Sequence, residues 1–149
     1  MPLEIKQNEP LSKHTTFAIG GPAKYFAVAK TKEEVLEAID FAESKKLPFF
    51  LLGGGSNILI SDNGYDGLII KIQIGGVHIA GEKITAGSGV LLSQLVNDSA
   101  KYGLSGLEWA VGIPGTIGGA VNGNAGAYGR AVSESVDEIT VLAEEGGQW

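Results

Sequence analysis

Apolar residues in the first part of the chain switch between the spacing of a strand and the spacing of a helix. Residues 1–13 are polar and interrupted by proline, which predicts an extended arm. Residues 24–30, KYFAVAK, are short and partly aromatic or β-branched, which predicts a strand. Thr31 and Glu34 then have the spacing of a capping box. Four apolar residues follow at helical spacing: Val35, Leu36, Ile39 and Ala42.

A second strand predicted after this helix ends abruptly in glycine. Residues 48–52, PFFLL, form a continuous apolar run typical of a buried strand, and Gly53-Gly54-Gly55 follows directly. Residues 58–60 predict a further short strand, and residues 68–72 predict another. The intervening segment 61–67 is dense in turn residues.

The second part of the chain predicts a hairpin, a helix and a final strand. Residues 77–87 have the pattern of a hairpin that turns at Gly81-Glu82. A helix is predicted next and would end at Gly103. Its apolar face would comprise Leu91, Leu92, Leu95, Val96 and Ala100. Residues 136–143 alternate as a strand does, and residues 144–147 predict a turn.

No segment follows that could pair with this last strand. A strand with an unpaired edge tends to aggregate, so we expect the natural protein to continue beyond residue 149. The alternative is that the strand pairs elsewhere in the fold and that the last residues are a tail.

Composition narrows the possible functions. Apolar residues make up 44% of the chain, which suits a folded domain, and 23 of its 149 residues are glycine. The net charge is −6 and Arg130 is the only arginine, which argues against a nucleic-acid partner. The absence of cysteine excludes disulfides and thiolate catalysis. No apolar run is long enough for a membrane span or has the form of a signal peptide, so we expect a cytoplasmic protein without a membrane partner.

The first candidate site is the glycine loop, residues 53–57, with the sequence GGGSN. Three glycines remove every Cβ, so successive N–H groups can converge on a phosphate or diphosphate. Ile58 stands where a Rossmann fingerprint needs its third glycine, and no Gly-Lys-Ser/Thr of a P-loop occurs. The alternative is a tight turn that binds nothing.

The second candidate site is the stretch 112–129, which is rich in glycine and poor in charge. A backbone wrapped around a large flat ligand needs this composition, because small residues permit close approach to an aromatic ring. The alternative is a packing loop between two lobes. Residues 87–89, GSG, could bind an anion at a helix N-terminus, or could be only a strand–helix turn. We interpret His14 and His78 as surface or hydrogen-bonded histidines, and Arg130 as a solvated residue rather than a phosphate ligand.

Three segments together resemble the UDP-N-acetylenolpyruvoylglucosamine reductases, also called UDP-N-acetylmuramate dehydrogenases. They are residues 14–26 (HTTFAIGGPAKYF), 51–61 (LLGGGSNILIS) and 106–129 (GLEWAVGIPGTIGGAVNGNAGAYG). The resemblance implies an α+β fold, a two-lobed FAD-binding domain of the vanillyl-alcohol-oxidase (PCMH) type that is incomplete at its C-terminus. We expect the first lobe at residues 1–72 and a truncated second lobe at residues 73–149, without the substrate-binding domain.

The resemblance also implies the cofactor and the reaction. Members of this family bind FAD, take a hydride from NADPH and reduce the enolpyruvyl group of a UDP-sugar to form UDP-N-acetylmuramate, a peptidoglycan precursor. The residues implied to hold the FAD diphosphate are Gly53, Gly54, Gly55, Ser56 and Asn57. Those implied to line the flavin are Gly112, Ile113, Pro114, Gly115, Gly118, Gly119, Ala120, Asn124 and Gly126. Tyr128 is implied to face the flavin ring or the substrate.

The family's catalytic residues have no counterpart in this sequence. Its arginine lies in a Tyr-Arg pair after the returning strand, and its serine proton donor and glutamate lie further on. Arg130 comes too early and in a different motif. We therefore expect the chain alone to bind FAD but to show weak or no turnover. The alternatives are an FAD domain of another vanillyl-alcohol-oxidase-type oxidoreductase, or a non-catalytic module whose glycine loops serve packing or a protein partner.

Overall fold

A four-stranded sheet organises the first part of the chain in the computed structural model, which describes residues 3–144. Its strands are β1 (Ile5–Pro10), β2 (Pro22–Ala29), β3 (Phe49–Leu52) and β4 (Tyr65–Ile72), in the order β1-β2-β4-β3. β1 runs antiparallel to β2, whereas β2, β4 and β3 are mutually parallel. The predicted arm is therefore extended but not free, since its backbone pairs with β2.

Helix α1 (Lys32–Ser44) crosses one face of this sheet. The Glu34 N–H donates to Thr31 Oγ1 at 3.2 Å, which confirms the predicted cap. The Glu34 carboxylate accepts from the Lys30 N–H at 2.6 Å, one residue before the cap rather than at the cap itself. The buried face of α1 packs on Ala27, Ala29, Leu68 and Ile70.

A second apolar cluster covers the opposite face of the sheet. Its buried members are Leu11, Ala23, Phe26, Leu52 and Ile69. The strand predicted at residues 48–52 is present as β3, but its predicted burial is wrong, because β3 is an edge strand and leaves Phe50 and Leu51 exposed. The strand predicted at residues 58–60 is also wrong. Ile58 and Ile60 pack against the cluster from an irregular segment, which uses their apolar side chains without pairing their backbone.

The next elements are the predicted hairpin and helix. β5 (Val77–Ala80) pairs antiparallel with β6 (Lys83–Ala86), and α2 (Leu92–Lys101) ends before Gly103, whose φ is +72°. The predicted apolar face of α2 is wrong at two positions. Leu91 precedes the helix and is exposed, and Ala100 is exposed as well. Ser99 is buried instead, and its hydroxyl donates to the Val96 carbonyl oxygen at 2.8 Å.

The glycine-rich segment contains the short helix α3 (Ile117–Asn122) and the two-residue strands β7 (Gly126–Ala127) and β8 (Arg130–Ala131). Short 3₁₀ turns lie at Leu11–His14, Glu108–Ala110 and Val132–Glu134. A third cluster joins α2 to this segment; its buried members are Leu92, Val96, Trp109, Ala110, Ala120 and Val132. The lobe boundary at residue 72 stays a prediction.

The strand predicted at residues 136–143 is wrong, because the structure has no strand there. Alternation alone does not make a strand, since the backbone also needs a neighbour to pair with. The turn predicted at residues 144–147 lies, apart from Glu144, outside the described residues. Within residues 3–144, no helix combines the length and the hydropathy that crossing a bilayer requires.

The cap of α1 gives a direct test of this fold. We expect Thr31→Ala to lower the free energy of unfolding by about 1 kcal/mol, because the Glu34 N–H loses its acceptor. Thr31→Ser keeps the hydroxyl and should retain the stability of the wild type. Urea denaturation followed by circular dichroism measures the stability of both variants. Equal stability of the alanine and serine variants would contradict the assignment of Thr31 as the N-cap of α1.

Candidate functional site

The two glycine-rich stretches lie against each other. The loop of residues 53–57 leaves the carboxyl end of β3, and residues 114–116 pack on it. Ser56 Oγ donates to the Pro114 carbonyl oxygen at 3.2 Å. A Cβ added to Gly54 would lie 2.8 Å from Gly115 Cα, and one added to Gly115 would lie 2.7 Å from Ser56 Oγ. The approach of one loop to the other therefore requires glycine at Gly54, and the φ of +114° favours glycine at Gly115.

Thr116 fixes the junction between the two loops. It is 6% exposed, and its hydroxyl oxygen accepts from the Gly119 N–H at 3.4 Å at the start of α3. The same oxygen would lie 2.6 Å from a Cβ on Gly53. Sequence reasoning missed Thr116. The preference for threonine at a helix N-cap was the signal that could have found it.

The loop of residues 87–91 completes the junction by binding to the start of α3. The Gly118 N–H donates to the Ser88 carbonyl oxygen at 2.8 Å, and the Ile117 N–H donates to the Val90 carbonyl oxygen at 2.8 Å. The N–H groups of Gly87 and Gly89 are themselves committed to the carbonyls of residues 76 and 74. The structure therefore favours the strand–helix turn over the anion site at residues 87–89.

The first glycine loop retains unused hydrogen-bond donors. Within residues 3–144, the backbone N–H groups of Gly54, Gly55, Ser56 and Asn57 donate to no protein atom. Backbone donors without a protein acceptor are available to a ligand, and successive ones in a loop can converge on an anion. This loop therefore fits the diphosphate that its sequence predicts.

His14 packs against the first glycine loop through its backbone. A Cβ on Gly55 would overlap the His14 carbonyl oxygen, and the Thr16 N–H donates to the Gly55 carbonyl oxygen at 2.9 Å. The His14 ring stacks on Phe26 with 4.3 Å between the ring centroids. Its nitrogens lie 3.0 Å from Glu9 Oε1 and 3.2 Å from Lys71 Nζ.

These contacts affect two titrating groups. The hydrogen bond with His14 lowers the pKa of Glu9, and the nearby charge of Lys13 acts in the same direction. Burial lowers the pKa of Lys71, because desolvation disfavours its charged form. His14 is thus a hydrogen-bonded histidine, in agreement with its interpretation from the sequence.

Several residues predicted to line the flavin have structural contacts of their own. The side chain of Ala120 is 8% exposed inside the third cluster, so its methyl group is directed into the core; Ile113 packs against the same cluster. Asn124 Oδ1 accepts from the Ser133 N–H at 3.0 Å, and Gly126 pairs with Ala131. The side chains of Ala120 and Ile113 therefore hold the second glycine-rich stretch against the core. That the predicted residues contact the flavin stays a prediction.

Tyr128 is an exposed member of the predicted flavin set. It is 88% exposed and has a φ of +54°, and Gly129 follows with a φ of +78°. Two successive positive φ values form the tight turn between β7 and β8. Glycine or asparagine is usual at such positions, so a tyrosine there is unusual and presents its ring to solvent.

Comparison with known proteins identifies the family. Residues 23–149 match the family described as "FAD binding domain", and this range includes both glycine loops. The chain belongs to this family. The chain is also similar to proteins named UDP-N-acetylenolpyruvoylglucosamine reductase. The one from Caldanaerobacter subterraneus subsp. tengcongensis is 43% identical over 138 residues, which cover 92% of this chain and 46% of the relative. The one from Clostridium tetani is 43% identical over 143 residues, covering 95% and 47%. The chain thus spans about half the length of these relatives.

Solved structures confirm the predicted fold class. The chain superposes on UDP-N-acetylenolpyruvylglucosamine reductase from Thermus caldophilus with a TM-score of 0.66 and 34% identity. The superposition covers 87% of this chain and 44% of that one. Cholesterol oxidase from Brevibacterium sterolicum shares the fold, with a TM-score of 0.58 and 18% identity, over 84% and 24%. The fold is therefore α+β, of the vanillyl-alcohol-oxidase type.

The contact between the two loops can be tested with a pair of glycine variants. We expect Gly54→Ala to lower the free energy of unfolding by about 1–3 kcal/mol, because its Cβ would press on the Gly115 backbone. Gly75→Ala is the matched control, since a Cβ there meets no atom within 4 Å, and it should change stability by less than about 0.5 kcal/mol. Equal effects in urea denaturation would show that the loops do not touch.

Proposed function

We propose that this chain is the FAD-binding portion of an NADPH-dependent UDP-N-acetylenolpyruvoylglucosamine reductase of peptidoglycan synthesis. The observation that carries the proposal is the contact between the two glycine loops, one of which keeps a run of N–H donors free of protein acceptors. The family match supports FAD, and the names of the relatives support the reaction. The UDP-sugar substrate, NADPH and a cytoplasmic location belong to the proposal.

Residues 53–57 would hold the FAD diphosphate through backbone hydrogen bonds. Hydrogen bonds to a charged acceptor are about twice as strong as neutral ones, so the uncommitted donors at Gly54, Gly55 and Ser56 would contribute more with a phosphate than with water. The hydroxyl of Ser56 already bonds to Pro114 and keeps the second loop in place. In this way the diphosphate site would hold the charged middle of one ligand, and the stretch at residues 112–126 would hold its flavin end.

The stretch at residues 112–126 would accept the flavin ring. Gly112 has a φ of +85° and open space where a Cβ would stand, so its backbone can approach a flat ring closely. The exposed Tyr128 ring would stack on the flavin or the substrate. When bound, FAD would supply the hydride acceptor for NADPH and the hydride donor for the enolpyruvyl group.

Two ionisable side chains near this site, those of Arg130 and His14, are occupied with structural contacts. Arg130 Nε donates to Glu134 at 3.2 Å, and His14 is held between Glu9 and Lys71. Reduction of the substrate requires a hydride and a proton. The flavin would supply the hydride, whereas the protein orients the cofactor and supplies the proton. We therefore propose that this chain binds and orients FAD, and that the proton donor of the reaction lies outside it.

Binding of FAD is the first test. We expect purified chain to change the fluorescence of added FAD, with a dissociation constant at least about tenfold lower than for riboflavin, because riboflavin lacks the diphosphate. Fluorescence titration measures both ligands under the same conditions. No response to FAD, or equal affinity for the two flavins, would contradict the proposed role of residues 53–57.

Turnover is the second test. We expect the UDP-enolpyruvyl substrate to cause no additional oxidation of NADPH when it is added to the chain with FAD and NADPH, because the proton donor for reduction of that substrate would lie outside the chain. Absorbance at the NADPH band measures the rate, and a full-length relative is the positive control. Robust turnover by this chain would refute the proposal that the proton donor lies outside it.

A further inference from the structure

Lys71 stands beside the first glycine loop without belonging to any motif of the sequence. It lies on β4 in register with Leu52, the residue that precedes Gly53. The carboxyl ends of the three parallel strands meet at this edge of the sheet. Ligands of open α/β sheets usually bind beyond the carboxyl ends of parallel strands. The position of Lys71 therefore puts a cation at the edge from which the loop departs.

Lys71 has no carboxylate partner. Within residues 3–144, no aspartate or glutamate oxygen lies within 4.0 Å of its ammonium group, whereas Lys24, Lys83 and Lys101 each pair with an aspartate. The partner that the structure shows is the ring nitrogen Nδ1 of His14, at 3.2 Å. Lys71 is also half-buried, and burial lowers its pKa. A partly desolvated ammonium without an anion is unfavourable, so the site favours an anionic ligand.

His14 fixes the position of this ammonium. With Lys71 donating to Nδ1, the ring proton of His14 lies on Nε2, which donates to Glu9 Oε1 at 3.0 Å. The ring is also held by stacking on Phe26. The backbone of the same residue abuts Gly55. One residue therefore holds both the lysine and the loop.

We propose that Lys71 is the cation that pairs with the diphosphate of the ligand at residues 53–57, and that His14 is its positioning residue. This inference rests on the proposed function, because it requires the diphosphate to bind at that loop. It explains how a chain with a net charge of −6 offers a favourable site to an anion. The charge that matters is local, and it supplements the backbone donors.

Two substitutions of Lys71 test the ion pair. Lys71→Met keeps the length of the side chain but removes its charge, and should raise the dissociation constant for FAD about tenfold. It should also flatten the increase of that constant with salt, because one ion pair is lost. Lys71→Arg keeps the charge and should retain the salt dependence. The melting temperature of the ligand-free Lys71→Met chain should not fall, because the substitution removes an unpaired charge.

Two substitutions of His14 test the positioning role. His14→Gln offers an oxygen to Lys71 and an N–H to Glu9, and should retain the affinity and the salt dependence of the wild type. His14→Leu offers neither, and should weaken FAD binding and flatten its salt dependence as Lys71→Met does. The salt dependence is the readout that a purely structural role of His14 would leave unchanged.

The outcomes separate this inference from the proposed function. If the wild-type chain binds FAD and Lys71→Met binds it with the same affinity and salt dependence, the ion pair is refuted and the proposed function stands. A fall of several degrees in the melting temperature of Lys71→Met, with an unchanged salt dependence, would assign Lys71 a structural role and also refute the ion pair. If the wild-type chain itself fails to bind FAD, the proposed function falls first and this inference with it.

Discussion

The close contact between two backbones is the constraint on which the rest of this structure depends. Gly54 and Gly115 approach so closely that a single Cβ on Gly54 would lie 2.8 Å from the opposite Cα. Contacts of this kind leave no room for side chains, so the loops must be held in place by their flanks. β3 holds one loop, and Thr116 with the start of α3 holds the other. The absence of side chains is also what leaves N–H groups of the first loop open to a ligand.

The electrostatics of the site follow from the same constraint. The whole chain is acidic, with a net charge of −6, yet the loop that fits a diphosphate carries partial positive charge from its uncommitted N–H groups. Such dipoles act over a short range, so a net negative charge elsewhere on the protein does not cancel them. In the proposed arrangement the half-buried Lys71 adds a full charge at the same edge. Net charge is thus a poor guide to the ligand of a single loop.

Local chemistry made much of the fold predictable from the sequence. The N-cap of α1, the turn of the β5–β6 hairpin and the glycine after α2 depend on neighbouring residues, and the structure has each of them. The predictions that were wrong depended on distant partners. Residues 48–52 are apolar throughout, but their burial depends on whether a further strand covers β3, and none does within residues 3–144. The alternation of residues 136–143 likewise says nothing about whether a neighbouring strand is present.

In the candidate site, too, local features could be predicted from the sequence, whereas contacts between distant residues could not. The glycine loops could be recognised because their composition is unusual in itself, and their contact with each other is what the ligand hypothesis required. Thr116 and the pair of His14 and Lys71 could not be recognised in this way. His14 and Lys71 lie 57 positions apart in the sequence, and only the fold brings them to 3.2 Å. In isolation each of the two is an ordinary polar residue, so no local pattern could have assigned them to the site.

The site described here is built mainly from backbone, and this suits a fold that different enzymes share. Ser56 holds the second loop through its side chain, His14 abuts Gly55 through its backbone, and the groups left free in the first loop are peptide N–H groups. A cofactor gripped by backbone can be bound by many sequences, provided that glycines remain where the loops touch. The similarity of the fold to a protein named cholesterol oxidase, at only 18% identity, agrees with this reasoning. In the proposed arrangement, selection between substrates would have to come from side chains, and the exposed Tyr128 is the one proposed to stack on the flavin or the substrate.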